Sequence, residues 1–321
     1  MKKLIFIFLF PLISFAQKKD ATQVLNTAEQ VFVISEEVNY VYSKPKVLDM
    51  FTKIPRNVGR LGKETVKKEN LKWLGIAAAS TLAILPFDQK LLDKAGKLGS
   101  YLHLSKDHGY GKVGPLQIIP QNTASAIYYV GNGATPIVIS GGLLTFGLIK
   151  NDYRALHTSS ELIESLIVVG FFTQTMKRIT GRQSPFVAEK AGGKWQPFPS
   201  FSSYANNTSN YDAFPSGHIA TLMATVTVLE KNYPEKKWIK PVGYTLVGIL
   251  GYEMMNSEVH WASDYPVALL LGYAVGSISA NRRIKKVNHT KASKSKHNFD
   301  TRLTFSNYNG ANLIGVNISF K

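Results

Sequence analysis

Six stretches of this chain are apolar and nearly free of charge: residues 71–87, 121–149, 161–177, 217–230, 238–255 and 265–281. Each is long enough for a helix, and none alternates with period two, so each reads as helical. Small residues recur inside them, as in "GIAAAS", "SGGLLTFG" and "LLLGYAVGSISA", which lets helices approach closely. The pattern predicts an all-α bundle of six core helices over residues 71–285. Two connections are long, 88–120 and 178–214, and long connections in compact domains are frequently functional. Residues 17–70 are mixed and polar, broken by Pro45, Pro55 and Gly59, and read as an irregular or partly helical N-terminal arm. Residues 286–321 form a basic linker followed by a change of period. Ile314, Val316, Ile318 and Phe320 alternate with Gly315, Asn317 and Ser319, and Asn309-Gly310 is a turn signal, so a small C-terminal β-hairpin is expected.

The first residues, "MKKLIFIFLFPLISFAQ", carry a basic start, a short apolar run and small residues at Ser14 and Ala16. That is the layout of a signal peptide over residues 1–16, with a mature start at Gln17. It implies export to the periplasm or cell envelope. Short apolar runs favour a periplasmic bundle, soluble or resting on a membrane, with an integral membrane protein as the runner-up. The loops near 63–72, 150–154, 231–240 and 282–296 are rich in Lys and Arg, which in a six-span protein would lie in the cytoplasm. A cleaved signal peptide reverses that parity.

Across 321 residues the formal net charge is +17, which suggests anionic partners: phosphate esters, lipid headgroups or nucleic acid. No helix-turn-helix, zinc-finger or RNP pattern is present, so no nucleic acid is expected as a partner. There is no cysteine, which excludes disulfides and thiolate metal sites.

Polar residues gather where three apolar helices begin or end. Lys177 closes one in "MKRITGRQSPF"; Pro215-Ser216-Gly217-His218 opens the next; His260 and Asp264 stand four apart in "SEVHWASDYP" before the last. At spacing i, i+4 on one helical face, Asp264 would fix one imidazole nitrogen of His260 and leave the other basic. A helix N-terminus at Gly217-His218 offers free backbone N–H groups to a phosphate. Ser216 adds a hydroxyl, Gly217 permits close approach, and Lys177 adds a positive charge. Two histidines across an anion nest fit phosphoryl transfer.

These residues resemble the type 2 phosphatidic acid phosphatase (PAP2) superfamily, which includes vanadium haloperoxidases and bacterial acid phosphatases. The likeness covers residues 70–285. Its first motif, Lys, six residues, Arg-Pro, is met by Lys177 and Pro185. Its second, Pro-Ser-Gly-His, is met in full by residues 215–218. Its third, Ser-Arg, five residues, His, three residues, Asp, is met by His260 and Asp264. Two arginines are missing: the first falls on Ser184 and the second on Met254, with Glu253 in place of the serine before it. Arg178 and Arg182, or Lys106 and Lys112 from the first long loop, are candidates to replace them.

The resemblance implies a PAP2-like bundle and a phosphatase acting on a lipid phosphate or another phosphate monoester. His260 would be the nucleophile forming a phosphohistidine, Asp264 its orienting group and His218 the general acid. Lys177, Arg182, Ser184, Ser216 and Gly217 would bind the phosphate. No metal and no cofactor is expected; vanadate would need the absent arginines. The alternative is a weak or inactive family member that binds anionic lipid or phosphate, and a third reading is an envelope scaffold acting through its basic tail and hairpin.

Overall fold

The structure, a computed structural model, describes residues 28–46, 52, 54–65, 67–113, 116–288, 299–308 and 311–320. The expected signal peptide, most of the basic linker and the Asn309-Gly310 turn lie outside the described residues. In chain order the elements are β1 (Glu29–Val33), β2 (Val38–Ser43), α1 (Ile54–Thr65), α2 (Lys68–Ile84), α3 (Asp88–Tyr101), β3 (Tyr110–Val113), β4 (Leu116–Pro120), α4 (Thr123–Gly131), α5 (Ala134–Lys150), α6 (Tyr153–Thr180), α7 (Phe201–Asn206), α8 (Gly217–Asn232), α9 (Ile239–Asn256), α10 (Tyr265–Asn281), β5 (Lys285–Asn288), β6 (Phe299–Tyr308) and β7 (Ala311–Phe320).

The six apolar segments become α2, α4–α5, α6, α8, α9 and α10. The core lies around α8: Ile219, Leu222, Met223 and Val226 pack with Val168 and Val169 of α6, Val247 and Leu250 of α9, and Val275 of α10. The small residues act at the α8–α10 crossing. A Cβ added at Gly272 would stand 2.4 Å from the Ala220 carbonyl, and one at Gly276 would stand 2.7 Å from that of Ala224. Any side chain there would force the two helices apart, so the Gly272–Gly276 spacing sets their separation.

The N-terminal arm is partly helical, as read, through α1, and it also holds two strands that the reading lacked. β1 and β2 form an antiparallel hairpin, and β5 adds on the other side of β2, with Val38 opposite Asn288 and Val41 opposite Lys285. Phe32, Tyr40 and Tyr42 cover the start of α6 and the end of α10, and the Tyr42 hydroxyl donates to Asn232 Oδ1 at 2.9 Å. The sheet thus caps one end of the bundle. The expected C-terminal hairpin is present, β6 pairing with β7 from Phe299–Phe320 to Tyr308–Ala311.

Part of the outer surface is an apolar belt. Leu71, Trp73, Ile76 and Leu82 on α2, Ile137, Val138, Leu148 and Ile149 on α5, and Val242 and Ile249 on α9 are all exposed, Ile149 by 73%. Isolated apolar residues on a surface are ordinary, but a belt over several helices marks a contact surface. By length and composition, residues Lys68–Tyr101 and Tyr153–Thr180 can each cross a membrane, and α4–α5, bent by 69°, make a third if taken as one span. These features associate the bundle with a membrane. The runs are longer than the apolar segments alone suggested, because α2 continues through a 3-10 turn into α3 and α6 extends to 28 residues.

Candidate active site

At the end opposite the sheet, the last turn of α6, the first turns of α3 and α8, and the link between α9 and α10 converge. α6 stops because Gly181 turns left-handed (φ +55°), and a Cβ there would lie 1.8 Å from the Gln196 carbonyl. The chain then drives Arg182 inward, where its backbone bridges Trp195 and Asp212. Ser216 caps α8, its Oγ accepting from the Ile219 amide at 3.4 Å, so the remaining N-terminal amides of α8 have no helical partner. α9 ends at Asn256, and a turn with Glu258 at φ 58° leads to His260 and a 3-10 turn, Ala262–Asp264. His260 and Asp264 therefore do not share a helical face, as the spacing had suggested. The 3-10 turn folds Asp264 back beneath His260, because its carboxylate also accepts from the Trp261 amide at 2.9 Å.

His260 Nδ1 lies 3.4 Å from Asp264 Oδ2, with both side chains buried. That is long for a hydrogen bond, as is common before substrate binds. The His218 and His260 rings are 6.1 Å apart, crossed at 66°. That is edge-to-face contact, which puts both imidazoles in one site. Lys177 flanks it: a Cβ built on Gly217 would lie 4.0 Å from Lys177 Nζ. His218 is held well below the usual imidazole range, at about 3, first by desolvation and then by His260, Lys177 and His108. Burial and these neighbours therefore keep this imidazole neutral.

Arg182 takes a different place from the one its proximity to the first motif suggested. It is fully buried behind Asp264 and donates to Asp264 Oδ1 at 2.5 Å, Ser263 Oγ at 2.7 Å, Asp88 Oδ2 at 2.6 Å and the Gly192 carbonyl at 2.9 Å. Asp88 in turn accepts from the Ser263 amide at 2.9 Å and its hydroxyl at 2.5 Å. The guanidinium is thus committed to fixing two carboxylates, one of them the partner of His260. Ser184 is buried and donates to Asp212 Oδ1 at 3.2 Å. The other oxygen of Asp212 is 3.7 Å from Lys177 Nζ, so a carboxylate offsets the one lysine of the nest. Ser216, besides capping, is wholly enclosed. Met254 sits in the apolar core.

Arg178 lies over the Tyr204 ring and donates to Gln174. Lys106 pairs with Glu258 on the surface, and Lys112 lies on β3. The first long loop instead brings in His108, whose Nε2 is 3.2 Å from Glu253 Oε1. Asp88, His108, Asp212 and Tyr128, whose ring lies between those of His108 and His218, were missed from sequence. Only Asp88 had a visible signal, being the polar residue that ends the first apolar run. A groove of about 660 Å³ between α3 and residues 185–191 contains neither histidine of the nest. Among the described residues, no group of three or more His, Cys, Asp or Glu is placed to hold a metal ion.

The family model described as the PAP2 superfamily matches residues 159–287, a span that holds all three motifs. A curated relative, the lipid A 1-phosphatase of Porphyromonas gingivalis, is 32% identical over 68 residues, which are 21% of this chain and 15% of that protein. The match thus spans a small part of that relative's length. Among solved structures, that of Aquifex aeolicus LpxE aligns with a TM-score of 0.35 at 22% identity, over 49% of this chain and 83% of that one. A transmembrane PAP2 type phosphatidylglycerolphosphate phosphatase from Bacillus subtilis aligns with a TM-score of 0.41 at 13% identity, over 66% and 94%.

Proposed function

Because residues 159–287 belong to the PAP2 superfamily, we propose that this chain is a membrane-associated phosphatase that hydrolyses a lipid phosphate or another phosphate monoester through a phosphohistidine. The observation that carries this reading is the pair of imidazoles 6.1 Å apart beside Lys177 and the start of α8. The phosphate sits against both rings at their exposed side, its oxygens on Lys177 and the free amides of α8. His260 Nε2 attacks phosphorus while Asp264 holds the Nδ1 proton. The ester P–O bond breaks, and the protonated His218 gives its proton to the leaving alcohol. His218 then takes a proton from water, the hydroxide attacks phosphorus, and the P–N bond breaks to release phosphate and restore His260. The incoming dianion raises the proton affinity of His218 at the moment a general acid is needed.

The lipid A 1-phosphatase relative supports a phosphate carried on a lipid, and the apolar belt supports a substrate presented by a bilayer. Release of inorganic phosphate by purified protein, from lipid phosphates in mixed micelles and from soluble esters, tests the proposal. A second reading, anion binding without turnover, is favoured by Asp212 beside Lys177 and by the core position of Met254. It predicts retention of anionic vesicles with no phosphate released.

A further inference from the structure

The end of the bundle that carries the sheet has a pocket of its own, away from the nest. It holds about 350 Å³ and is lined by Lys231 at the end of α8, Lys236 and Lys237 in the link to α9, Lys240 on α9, Lys286 on β5 and Tyr40 on β2. Glu230 is the one carboxylate among the described lining residues, and it is already engaged. Lys240 Nζ stands 3.4 Å from its Oε1, and the Tyr244 hydroxyl donates to its Oε2 at 3.3 Å. The lining therefore keeps a net positive charge. Three of its lysines are placed by aromatic rings: Lys231 lies 5.5 Å over Tyr273, Lys240 5.8 Å over Tyr244 and Lys286 5.5 Å over Tyr40. Such contacts restrain an ammonium group without supplying a counter-charge. An apolar stripe starts at the same place. Trp238, Val242, Leu246 and Ile249 are exposed, and steps of about one helical turn keep them on one face of α9. From position 238 to position 249 that face is about 16 Å long, close to the ~15 Å of hydrocarbon in one leaflet. Trp238 stands where the lysines give way to the stripe, as tryptophans do at a membrane interface.

We propose that this pocket binds the headgroup of an anionic phospholipid whose acyl chain lies along the 238–249 face of α9. The lysines donate charge-assisted hydrogen bonds to the lipid phosphate, and the chain covers apolar surface that the protein itself leaves bare. Both halves are needed. A soluble anion would use the lysines and leave the stripe uncovered, and a neutral lipid would cover the stripe and leave the charge unmatched. Basic pockets beside membrane-facing helices hold anionic headgroups by this combination. The site lies at the opposite end of the bundle from His218 and His260, so it stands whether or not the nest turns over a substrate.

The test titrates the full chain in neutral detergent with phosphatidylglycerol and, separately, phosphatidylcholine, each brominated on its acyl chain so that it quenches nearby tryptophans. Phosphatidylglycerol, a phosphodiester that a monoesterase does not cleave, should quench at the lower concentration, and Trp238→Phe should remove that component. Lys231→Gln, Lys237→Gln and Lys286→Gln together should weaken phosphatidylglycerol by about 100-fold, at about fivefold per lysine, and leave phosphatidylcholine unchanged. The same three positions changed to Arg should keep most of the affinity. Lys90→Gln, Lys94→Gln and Lys97→Gln together remove equal charge from exposed positions of α3 and should leave the affinity within about twofold, because the control positions lie outside the pocket. Inorganic phosphate at millimolar concentration should not displace the lipid. Thermal unfolding reports whether each variant folds, and Lys237→Gln alone, on an exposed link, should still cost about fivefold if the triple variant does not. Equal affinity of the wild type for the two lipids overturns the proposal. So does an equal loss in the α3 control, wild-type affinity in a folded Lys237→Gln or triple variant, or displacement by inorganic phosphate, which would make the pocket a site for a soluble anion.

Discussion

Replacing Arg182 with Gln separates two roles for the residue that sequence could not. The structure puts its guanidinium between Asp264 and Asp88 at 2.5 and 2.6 Å, with all three side chains excluded from solvent. Removing one partner from a buried ion pair typically costs about 3–5 kcal/mol, because a charge is left uncompensated. Two carboxylates share the loss here, although Asp88 keeps its bonds to Ser263 and Asp264 keeps the Trp261 amide. For a domain of this size the melting temperature should drop by about 6–20 °C. Asp264 would also lose one of its two anchors, and a shift of about 1 Å beneath a nucleophile costs about 10²-fold in rate. The assay pairs thermal unfolding in detergent with steady-state phosphate release and vanadate inhibition. The expected result is a lower melting temperature and a lower kcat, with vanadate affinity changed least. Adding Asp88→Asn should recover part of the stability by removing one of the two charges. An Arg182→Gln protein as stable and as active as wild type would refute the argument. A protein with unchanged stability and kcat but weak vanadate binding would return Arg182 to the phosphate.

His260→Ala should abolish phosphate release, and Asp264→Asn should lower it by about 10²- to 10⁴-fold with the fold intact, both read by single-turnover kinetics. Asp212→Asn should free Lys177 and tighten vanadate on the order of tenfold, less than an enclosed pair would give because Asp212 is partly exposed. No change in inhibition constant would mean that Lys177 does not reach the anion. Binding of inorganic phosphate at pH 8, where it already arrives as the dianion, should take up as much as one proton, since His218 is neutral without the anion and charges beside it. Uptake should fall as pH rises through the raised value of the complex, and calorimetry in buffers of different ionisation enthalpy reads it, with loss in His218→Gln. N-terminal sequencing of the native protein should start at Gln17, and a start at Met1 would remove the signal-peptide expectation.

The six helices were legible because their apolar runs are uninterrupted, and Lys177, the 215–218 turn and His260–Asp264 were legible because each marks a boundary of such a run. Asp88 obeys the same rule and could have been found by it. What stayed hidden depends on distance along the chain. "EQVFV" and "VNYVYS" carry apolar runs of only three residues, and they gain their standing as strands from pairing with each other and, for β2, with β5 near the far end of the sequence. Nothing local to His108 points to Glu253, or in Ser184 to Asp212, since those contacts exist only once α4, α6 and α9 are packed. The direction in which Arg182 turns was equally undetermined, because the acceptor that draws it inward, Asp88, lies on another helix.

The pairing of β2 with both β1 and β5 has a consequence for how the protein is made. β1 and β2 leave the ribosome early and can close on each other at once, but the other edge of β2 stays open until α10 has been synthesised and β5 emerges. Over that interval the end of the bundle near Tyr42 and Asn232 has no complete cover. A chain stopped just after α10 would hold every motif residue yet keep a bare strand edge, which proteases and other open edges recognise. The three-stranded cap is therefore completed only after every motif residue has been made, and far from the nest of histidines.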